Sequence, residues 1–478
     1  MQGEDRQKSG AYLFVCEHFL VIFNAAVGVS DDAITGFLCR VEVQYFLDSQ
    51  NSRYEQFRPF SKNIFDVFTR KYMEKADITI IGGGVVGLTL ACLLADKELA
   101  IVLVDAQPPP QAGLMSPYDK RVSAINFSAQ KNFKSIGVWD AMEQQRISAY
   151  RHMRVWDAKS PAYLEFDCKE VGYDCLGYIV EQNVMRQTLW QQLQKYSNVH
   201  TYLLSEPDLV SENEKQIIVY LKNGHAIKTN LLVGADGRNS WVAKRMLSTD
   251  TQVASETTPK QISCALVTTI RTEHSHQYTA FQRFLSTGPV ALLPLADTHL
   301  VSLVWSTSTE QAQHLAAMSE QAFSETLRQA IENVLGKLSV CDERVIFPLR
   351  SYQAKHYVKS RIALVGDAAH TIFPLAGQGL NLGLLDAACL TRIISWALKN
   401  NRDIGTMDTL RRYELWRKAE NTVMKKAMEG FQALFSSTTE FARCTRYLGF
   451  ALTHKFPKAK KFFIQHAMGL HTDLPRPL

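Results

Sequence analysis

Three aspartates stand directly after apolar runs and beside glycines, and together they suit one kind of ligand. Asp105 closes the run Ala100–Val104, Asp236 follows Ala226–Val233 through Gly234-Ala235, and Asp367 follows Ile362–Val365 through Gly366. A carboxylate at the carboxyl end of a strand accepts hydrogen bonds from sugar or polyol hydroxyls. A neighbouring glycine lets the backbone approach a ligand with no Cβ in the way. Two glycine turns, Gly82–Gly87 and Pro374–Gly379, also run into helical spacing, so each offers free N–H groups and a partly positive helix end. A flavin dinucleotide meets both conditions. It carries a ribose, a pyrophosphate, a ribityl chain and a ring edge that becomes anionic on reduction.

The elements that must position these groups are legible around them. Ala76–Ile81 is a strand, Gly82-Gly83-Gly84-Val85-Val86-Gly87 follows it, and Leu88–Ala95 has a helical character. This is G-x-G-x-x-G between strand and helix, the context that makes the pattern a dinucleotide fingerprint. Gly82 permits the tight turn, Gly84 lets a pyrophosphate approach, Gly87 lets helix pack on strand, and Asp105 on the second strand suits a ribose hydroxyl. The stretch Arg361–Leu390 supplies a second such frame: a strand ending at Gly366-Asp367, a turn, and a helix from Leu380. Arg121, just before the helical Ser128–Ile136, is a candidate for the pyrophosphate or the flavin edge, against the plainer reading of a solvated surface charge.

Composition narrows the function classes. With 478 residues and 46% hydrophobic content the chain buries a large core and spans about two domains. The net charge of +6 is too small to read as a nucleic-acid signature. Nine cysteines are scattered without a C-x-x-C pair or zinc spacing, so no metal and no disulfide framework is expected. No unbroken apolar run reaches about 18 residues, so a soluble or peripheral protein is expected.

The middle of the chain is β-rich. Met153–Asp157 and Tyr163–Asp167 are candidate strands, Gly177–Val180 leads to a helix at Asn183–Tyr196, and Asn223-Gly224 marks a hairpin between Gln216–Leu221 and Ala226–Val233. Strands at Ile262–Arg271, Tyr278–Leu285, Val290–Leu295 and His299–Trp305 are apolar and aromatic, suited to a cavity for a greasy molecule or to a plain sheet core. One helix is expected over Gln311–Leu335, and Arg344–Leu349 reads as a strand returning to the first domain. The expected organisation is a discontinuous FAD-binding domain (73–150, 177–255, 345–405), a substrate domain (151–176, 256–344) and a helical end (406–478). Residues 1–72 lack sustained periodicity, and we read Met73 as the start of the folded protein, with an appended docking segment as the competing reading. The stretch 441–472 has no acid but carries Arg443, Arg446, Lys455, Lys458, Lys460 and Lys461 among Phe, Leu and Ile. Such an end lies on an anionic membrane, docks on a partner, or packs on its own domain.

The glycine-acid loops, in this order, resemble the flavoprotein aromatic hydroxylases of the para-hydroxybenzoate hydroxylase fold. Gly177–Gln182, Ala265–Thr272, Phe373–Gly379, Ala467–Leu470 and Asp473–Pro475 are similar to the ubiquinone-biosynthesis hydroxylases, and within them to the group acting on 2-polyprenylphenol. The likeness covers residues 74–478. It implies an α/β fold: a Rossmann-like FAD-binding domain with an inserted mixed β-sheet substrate domain and C-terminal helices. It implies Gly82, Gly84 and Gly87 at the pyrophosphate, Asp105 at the adenosine ribose, Arg121 on FAD, and Asp236 bordering flavin and nicotinamide. Asp367 would hold the ribityl chain, and the loop with Pro374, Gly377, Gln378, Gly379 and Asn381 would meet the isoalloxazine ring. Many members have Glu where Asp105 stands, a longer reach. No catalytic acid or base is implied.

The implied reaction uses FAD, NAD(P)H as a transient co-substrate and O2 to hydroxylate a prenylated phenol ortho to its hydroxyl. Implied partners are that phenol and other ubiquinone-biosynthesis proteins, with no nucleic acid. The expected location is cytoplasmic or peripheral to the inner membrane. A second G-x-G-x-x-G unit is missing, which fits a reductant that visits without its own domain. Three alternatives stay open from sequence: a hydroxylase of a later ubiquinone intermediate, an FAD-dependent isoprenoid reductase or oxidase, and a flavin-binding subunit without turnover.

Overall fold

A computed structural model describes residues 73–110, 118–158, 163–247, 263–349, 351–372, 379–437, 439, 445–446 and 456–470. The readings of residues 1–72 and of Pro374, Gly377 and Gln378 lie outside these. The chain divides into two compact units, 77–203 with 230–478, and a smaller one whose described residues are 73–76 and 204–229.

In chain order, β1 (Met73–Ile81) leads into α1 (Val85–Ala95), β2 (Ile101–Asp105), β3 (Val122–Ile125), α2 (Phe127–Ser135) and α3 (Trp139–Glu143). Next come β4 (Ile147–Tyr150), β5 (His152–Asp157), β6 (Tyr163–Asp167), β7 (Gly177–Glu181), α4 (Gln182–Leu193) and β8 (Val199–Leu203). β9 (Pro207–Glu212), β10 (Ile217–Leu221), β11 (Ala226–Gly234) and α5 (Trp241–Leu247) precede a run of strands. That run is β12 (Cys264–Thr272), β13 (Thr279–Leu285), β14 (Gly288–Pro294) and β15 (Leu300–Thr307), followed by α6 (Thr309–Ala317) and α7 (Glu320–Ala330). Short strands β16 (Leu338–Val340), β17 (Val345–Pro348), β18 (Tyr352–Gln353), β19 (Val358–Lys359), β20 (Ile362–Leu364) and β21 (His370–Thr371) lead to α8 (Gly379–Lys399), α9 (Met407–Ser436) and α10 (Pro457–Ala467).

The nucleotide sheet of the larger unit runs β19-β20-β11-β1-β2-β8. β1, β2 and β8 are parallel, as are β11 and β20. Its strands are near-continuous apolar runs because both faces are covered: Ile78, Ile80, Val102 and Leu103 are all buried. α1 is apolar around its circumference and buried accordingly. The 21-residue α8 is long and apolar enough to cross a membrane, but 78% of its most apolar window is buried inside the protein, so it is a core helix. In the smaller unit, β9 and β10 form an antiparallel pair, and β10 turns at Asn223-Gly224 onto residues 226–229. Gly224 has φ +89°, which only glycine adopts freely, as the hairpin reading requires.

The substrate sheet runs β16-β12-β15-β14-β13-β5-β6 and is mixed, since β5 and β13 are parallel and the other pairs antiparallel. α6 and α7 cover one face, where Leu266, Ile270, Leu292, Leu303 and Trp305 pack with Leu315, Phe323 and Leu327. Two expectations are corrected here. Gln311–Leu335 is not one helix: Met318 is extended, and the Oγ atoms of Ser308 and Ser319 accept from Gln311 N and Ala322 N, capping two separate helices. The strand at 345–348 does not return to the nucleotide sheet but pairs antiparallel with β12, Cys264 opposite Pro348. A third sheet, β3-β7-β4, is antiparallel.

Candidate functional site

The first glycine turn is shaped by what it must avoid. Gly82 has φ +109°, and a Cβ there would lie 2.4 Å from the Ala235 carbonyl oxygen. A Cβ on Gly87 would lie 2.0 Å from the Gly82 carbonyl oxygen and 3.2 Å from Ala235 Cβ. The fingerprint turn and the Gly234–Gly237 loop therefore touch, and Ala235 N–H donates to Ile81 O at 2.8 Å. Gly84 differs: a Cβ there would meet nothing within 4 Å, at the N-cap of α1. Crowded glycines hold the turn, and the open one faces the space a pyrophosphate needs.

Asp105 ends β2 beside this turn, as expected. Its Oδ2 accepts from Gly83 N–H at 2.8 Å and its Oδ1 from Gln107 N–H at 3.0 Å. A carboxylate has about four acceptor positions, so a ribose hydroxyl can still be received. The contact explains Gly83, a middle position of the motif that sequence reasoning left unassigned: a Cβ there would lie 2.4 Å from Asp105 Oδ2. Arg186 on α4 was also missed. Its Nε reaches Gly83 O at 3.4 Å and its Nη2 stands 4.0 Å from Asp105 Oδ2, placing a cation at the phosphate end of the turn. The only sequence signal was its position early in a helix after β7.

Asp367 sits in the short helical turn after β20. Its side chain is solvent-exposed although protein surrounds it on most sides, the situation of a group on the floor of an open recess. That crowding raises its pKa above the usual carboxylate value, opposed by the charges of His370, Arg238 and Arg121. Arg121 is thus brought to the site. Its guanidinium lies 4.8 Å over the Phe347 ring, and Arg238 Nη1 donates to Pro348 O at 3.2 Å, so β17 backs both arginines. Asp119 fixes the approach of this segment by accepting from Arg121 N–H at 2.9 Å and Asn183 N–H at 2.9 Å.

Val86 joins the two frames. Cβ atoms on Gly366 (φ +59°) and Gly383 would lie 3.3 Å and 2.9 Å from Val86 Cγ2. Beneath them lies a buried ionic knot that sequence reasoning missed. Asp386, fully buried on α8, accepts from His370 Nε2 at 2.6 Å, Gly366 N–H at 3.0 Å and Arg417 Nε at 2.7 Å. Burial opposes its charge, but His370 and Arg417 outweigh this and hold its pKa below the ordinary value. The available signal was an acid in the otherwise apolar run Leu380–Leu390.

Two expected ligand groups also hydrogen-bond within the protein. Asp236 accepts from Ser240 Oγ at 2.5 Å and Trp241 N–H at 2.7 Å, capping α5. Burial raises its pKa against those hydrogen bonds. Asn381 donates to Ala124 O at 2.8 Å and accepts from Asn126 N–H at 3.1 Å, so its side chain staples α8 to the end of β3. Gly379 begins α8, and a Cβ there would meet nothing within 4 Å. No cluster of metal-ligating side chains is present among the described residues.

The other face of the substrate sheet is partly covered: Phe284 stacks on Phe435 of α9 with ring centroids 3.8 Å apart, and Leu293 packs with Ile179, Leu295 and Leu300. Ala291 pairs with Val304 on the central strands β14 and β15, and both, with Leu293, are only half-buried. Between those contacts their small or apolar side chains make an apolar patch. Tyr118, Val122, Ile179, Leu295 and Leu300 make an apolar cluster joining the sheets.

Open glycines at two helix N-termini, a recessed carboxylate and nearby arginines fit FAD, and the apolar patch on the substrate sheet suits a ring substrate. That combination defines a flavin-dependent monooxygenase. Comparison with known proteins agrees. The family described as FAD binding domain matches residues 75–427. The ubiquinone biosynthesis monooxygenase COQ6, mitochondrial, of Danio rerio is 35% identical over 435 residues, covering 81% of this chain and 88% of its own. The 3-demethoxyubiquinol 3-hydroxylase of Escherichia coli (strain K12) is 33% identical over 398 residues, covering 83% and 99%. In fold, p-nitrophenol 4-monooxygenase PnpA from Pseudomonas putida DLL-E4 superposes with a TM-score of 0.66 at 17% identity, covering 83% of this chain and 99% of that one. The chain belongs to the FAD-binding family of ubiquinone-biosynthesis hydroxylases. The narrower expectation of a 2-polyprenylphenol hydroxylase is not what these relatives are named for.

Asp367→Ala is expected to raise the FAD dissociation constant by about 10- to 100-fold, for a charge-assisted hydrogen bond worth roughly 1.5–3 kcal/mol. Flavin fluorescence on titrating the apoprotein checks this. An unchanged affinity would remove Asp367 from the ribityl position.

Proposed function

We propose that this enzyme hydroxylates the ring of a late, prenylated ubiquinone intermediate of the demethoxyubiquinol type. The observation carrying the reading is the near-complete coverage, 99%, of the Escherichia coli 3-demethoxyubiquinol 3-hydroxylase by this chain. The half-buried apolar patch at Ala291, Leu293 and Val304 suits a greasy aromatic substrate. Bound FAD supplies the redox chemistry, accepting hydride from NAD(P)H and activating O2 for transfer of one oxygen atom to the ring.

The chain's own residues bind and position. Gly84 would open α1 to the pyrophosphate with Arg186 as a cation beside it, Asp105 would take the ribose, and Asp367 would receive the ribityl hydroxyls. The first turn of α8 would offer its N–H groups to the ring edge that becomes anionic. Apolar side chains closing around the bound ring would keep water from it, which would protect oxygen transfer from wasteful release as peroxide.

A deletion in the native host is expected to accumulate a methoxylated, ring-methylated quinol lacking one ring oxygen. Purified holoenzyme with NAD(P)H and 18O2 should add labelled oxygen to it. Accumulation of 2-polyprenylphenol would instead assign the earlier hydroxylation, ortho to the phenol. Normal ubiquinone content would remove the protein from the pathway.

A further inference from the structure

The basic stretch at 441–472 has members engaged within the protein. α10 packs on its own domain through Ile464 and Met468, and Lys460 Nζ reaches Glu170 Oε1 at 2.6 Å. The buried Arg446 donates from Nε to Asp157 Oδ2 at 2.8 Å. Arg443 and Lys455 lie outside the described residues.

The long helix α9 has two unlike sides. Its inner side carries Tyr413, Arg417 and Asn421, all fully buried. Its outer side exposes a row spaced by four: Leu415, Ala419, Val423, Ala427 and Phe431. The three large members are 64%, 70% and 47% exposed. Residues four apart form one continuous ridge on a helix, and from Leu415 to Phe431 it runs about 24 Å at 1.5 Å per residue. The ridge holds no charged residue. Beside it Trp416 is 39% exposed, and a Cβ on Gly430 would meet nothing within 4 Å. An uncharged apolar ridge of that length in water is a surface made to be covered.

We propose that the outer ridge of α9 is the centre of a twofold interface between two copies of this chain. The ridge alternates large and small: Leu, Ala, Val, Ala, Phe. Such a row is complementary to itself, as a twofold interface requires. With the two helices antiparallel and displaced by one four-residue step, Val423 sits over the partner's Ala427 and Phe431 over the partner's Ala419. Each contact occurs twice by symmetry, and the alanines let the backbones approach. A lipid surface would gain nothing from this alternation. It would also favour a uniformly basic border, whereas Glu420 as well as Lys426 flanks the ridge.

The test is sedimentation of the full-length holoenzyme over a range of concentrations. Wild type should pair, the pairing should survive high salt because the contact is apolar, and its thermal midpoint should rise with protein concentration. Val423→Glu, which puts a charge into the contact, and separately Ala419→Leu with Ala427→Leu, which fills the hollows, should each weaken pairing at least about 100-fold. Bound flavin and the far-ultraviolet circular dichroism should stay at wild-type values, because these side chains point outward. Direction is read by oxidation of Ala419→Cys with Phe431→Cys. The two thiols lie about 18 Å apart along one helix, beyond the reach of a disulfide within a chain. The double variant should therefore join two chains covalently, while either single change and wild type, with its native cysteines, should not. Wild type that remains a single copy at every concentration, or a pair that persists in Val423→Glu, would overturn the proposal. Joining by a single cysteine change as readily as by both would overturn the antiparallel arrangement.

Discussion

A Gly87→Val variant is expected to purify without flavin colour. Any Cβ at this position lies 2.0 Å from the Gly82 carbonyl oxygen, a backbone atom that cannot swing aside. Gly82 in turn is wedged against Ala235, so the turn has no direction in which to yield. Separating α1 from β1 would move the N–H groups of the helix end away from the pyrophosphate. Overpacking of this kind costs about 1–3 kcal/mol in stability, and the lost cradle adds a loss of binding. Gly84→Ala is the companion measurement. Its Cβ meets no protein atom within 4 Å, so the variant should melt like wild type yet bind FAD weakly. Full flavin absorbance in Gly87→Val, or unaltered affinity in Gly84→Ala, would contradict the assignment of this turn.

The second large effect is expected at Asp386. Asp386→Ala should lower the thermal midpoint by on the order of 10 °C and loosen FAD. Removing one partner of a buried ion pair costs about 3–5 kcal/mol, and each kcal/mol shifts the midpoint of a large domain by roughly 2–4 °C. The loss removes one of two carboxylates from the fully buried Arg417, leaving it Glu420 and Asn421, and it frees Gly366 N–H beside Asp367. Asp386→Leu with Arg417→Met should cost less than the two single changes added, because no charge is then left alone. The pH dependence has a definite sign. The folded pKa of Asp386 lies below the ordinary value, so its contribution is fully present above about pH 4 and is lost as pH falls through the lower folded value. Calorimetry on wild type and Asp386→Asn should therefore converge only at strongly acidic pH. Equal midpoints at neutral pH would show the knot to be dispensable.

What the sequence revealed, and what it hid, follows from the range of the interactions. Strand, turn and helix around Gly82–Gly87 were legible because each glycine answers a local demand. So was the placement of Asp105 and Asp367 at strand ends, which follows from where apolar runs stop. What stayed hidden is set by packing. Asp236 and Asn381 occupy motif positions, and the sequence does not show that their side chains also bond Ser240 and Ala124. Arg186 and Arg417 look like ordinary helical cations until β2 and α8 are packed against them. β17 has the same apolar pattern whichever sheet receives it, so pairing with β12 was invisible from composition. The cap at Ser319 that divides Gln311–Leu335 was readable in principle, but unbroken helical spacing masked it.

The seating of Val86 against Gly366 and Gly383 has a consequence for biosynthesis. The hydrogen bond from Asn381 to Ala124 joins residues 257 positions apart, so the two ends of the flavin site meet only when most of the polypeptide has left the ribosome. Contacts of such long sequence separation form late, after the loops between them have been closed. Nascent chains halted before α8 would carry a complete dinucleotide fingerprint and still fail to retain FAD. Cofactor capture thus acts as a proofreading step on synthesis, rewarding only chains that have reached their C-terminal third.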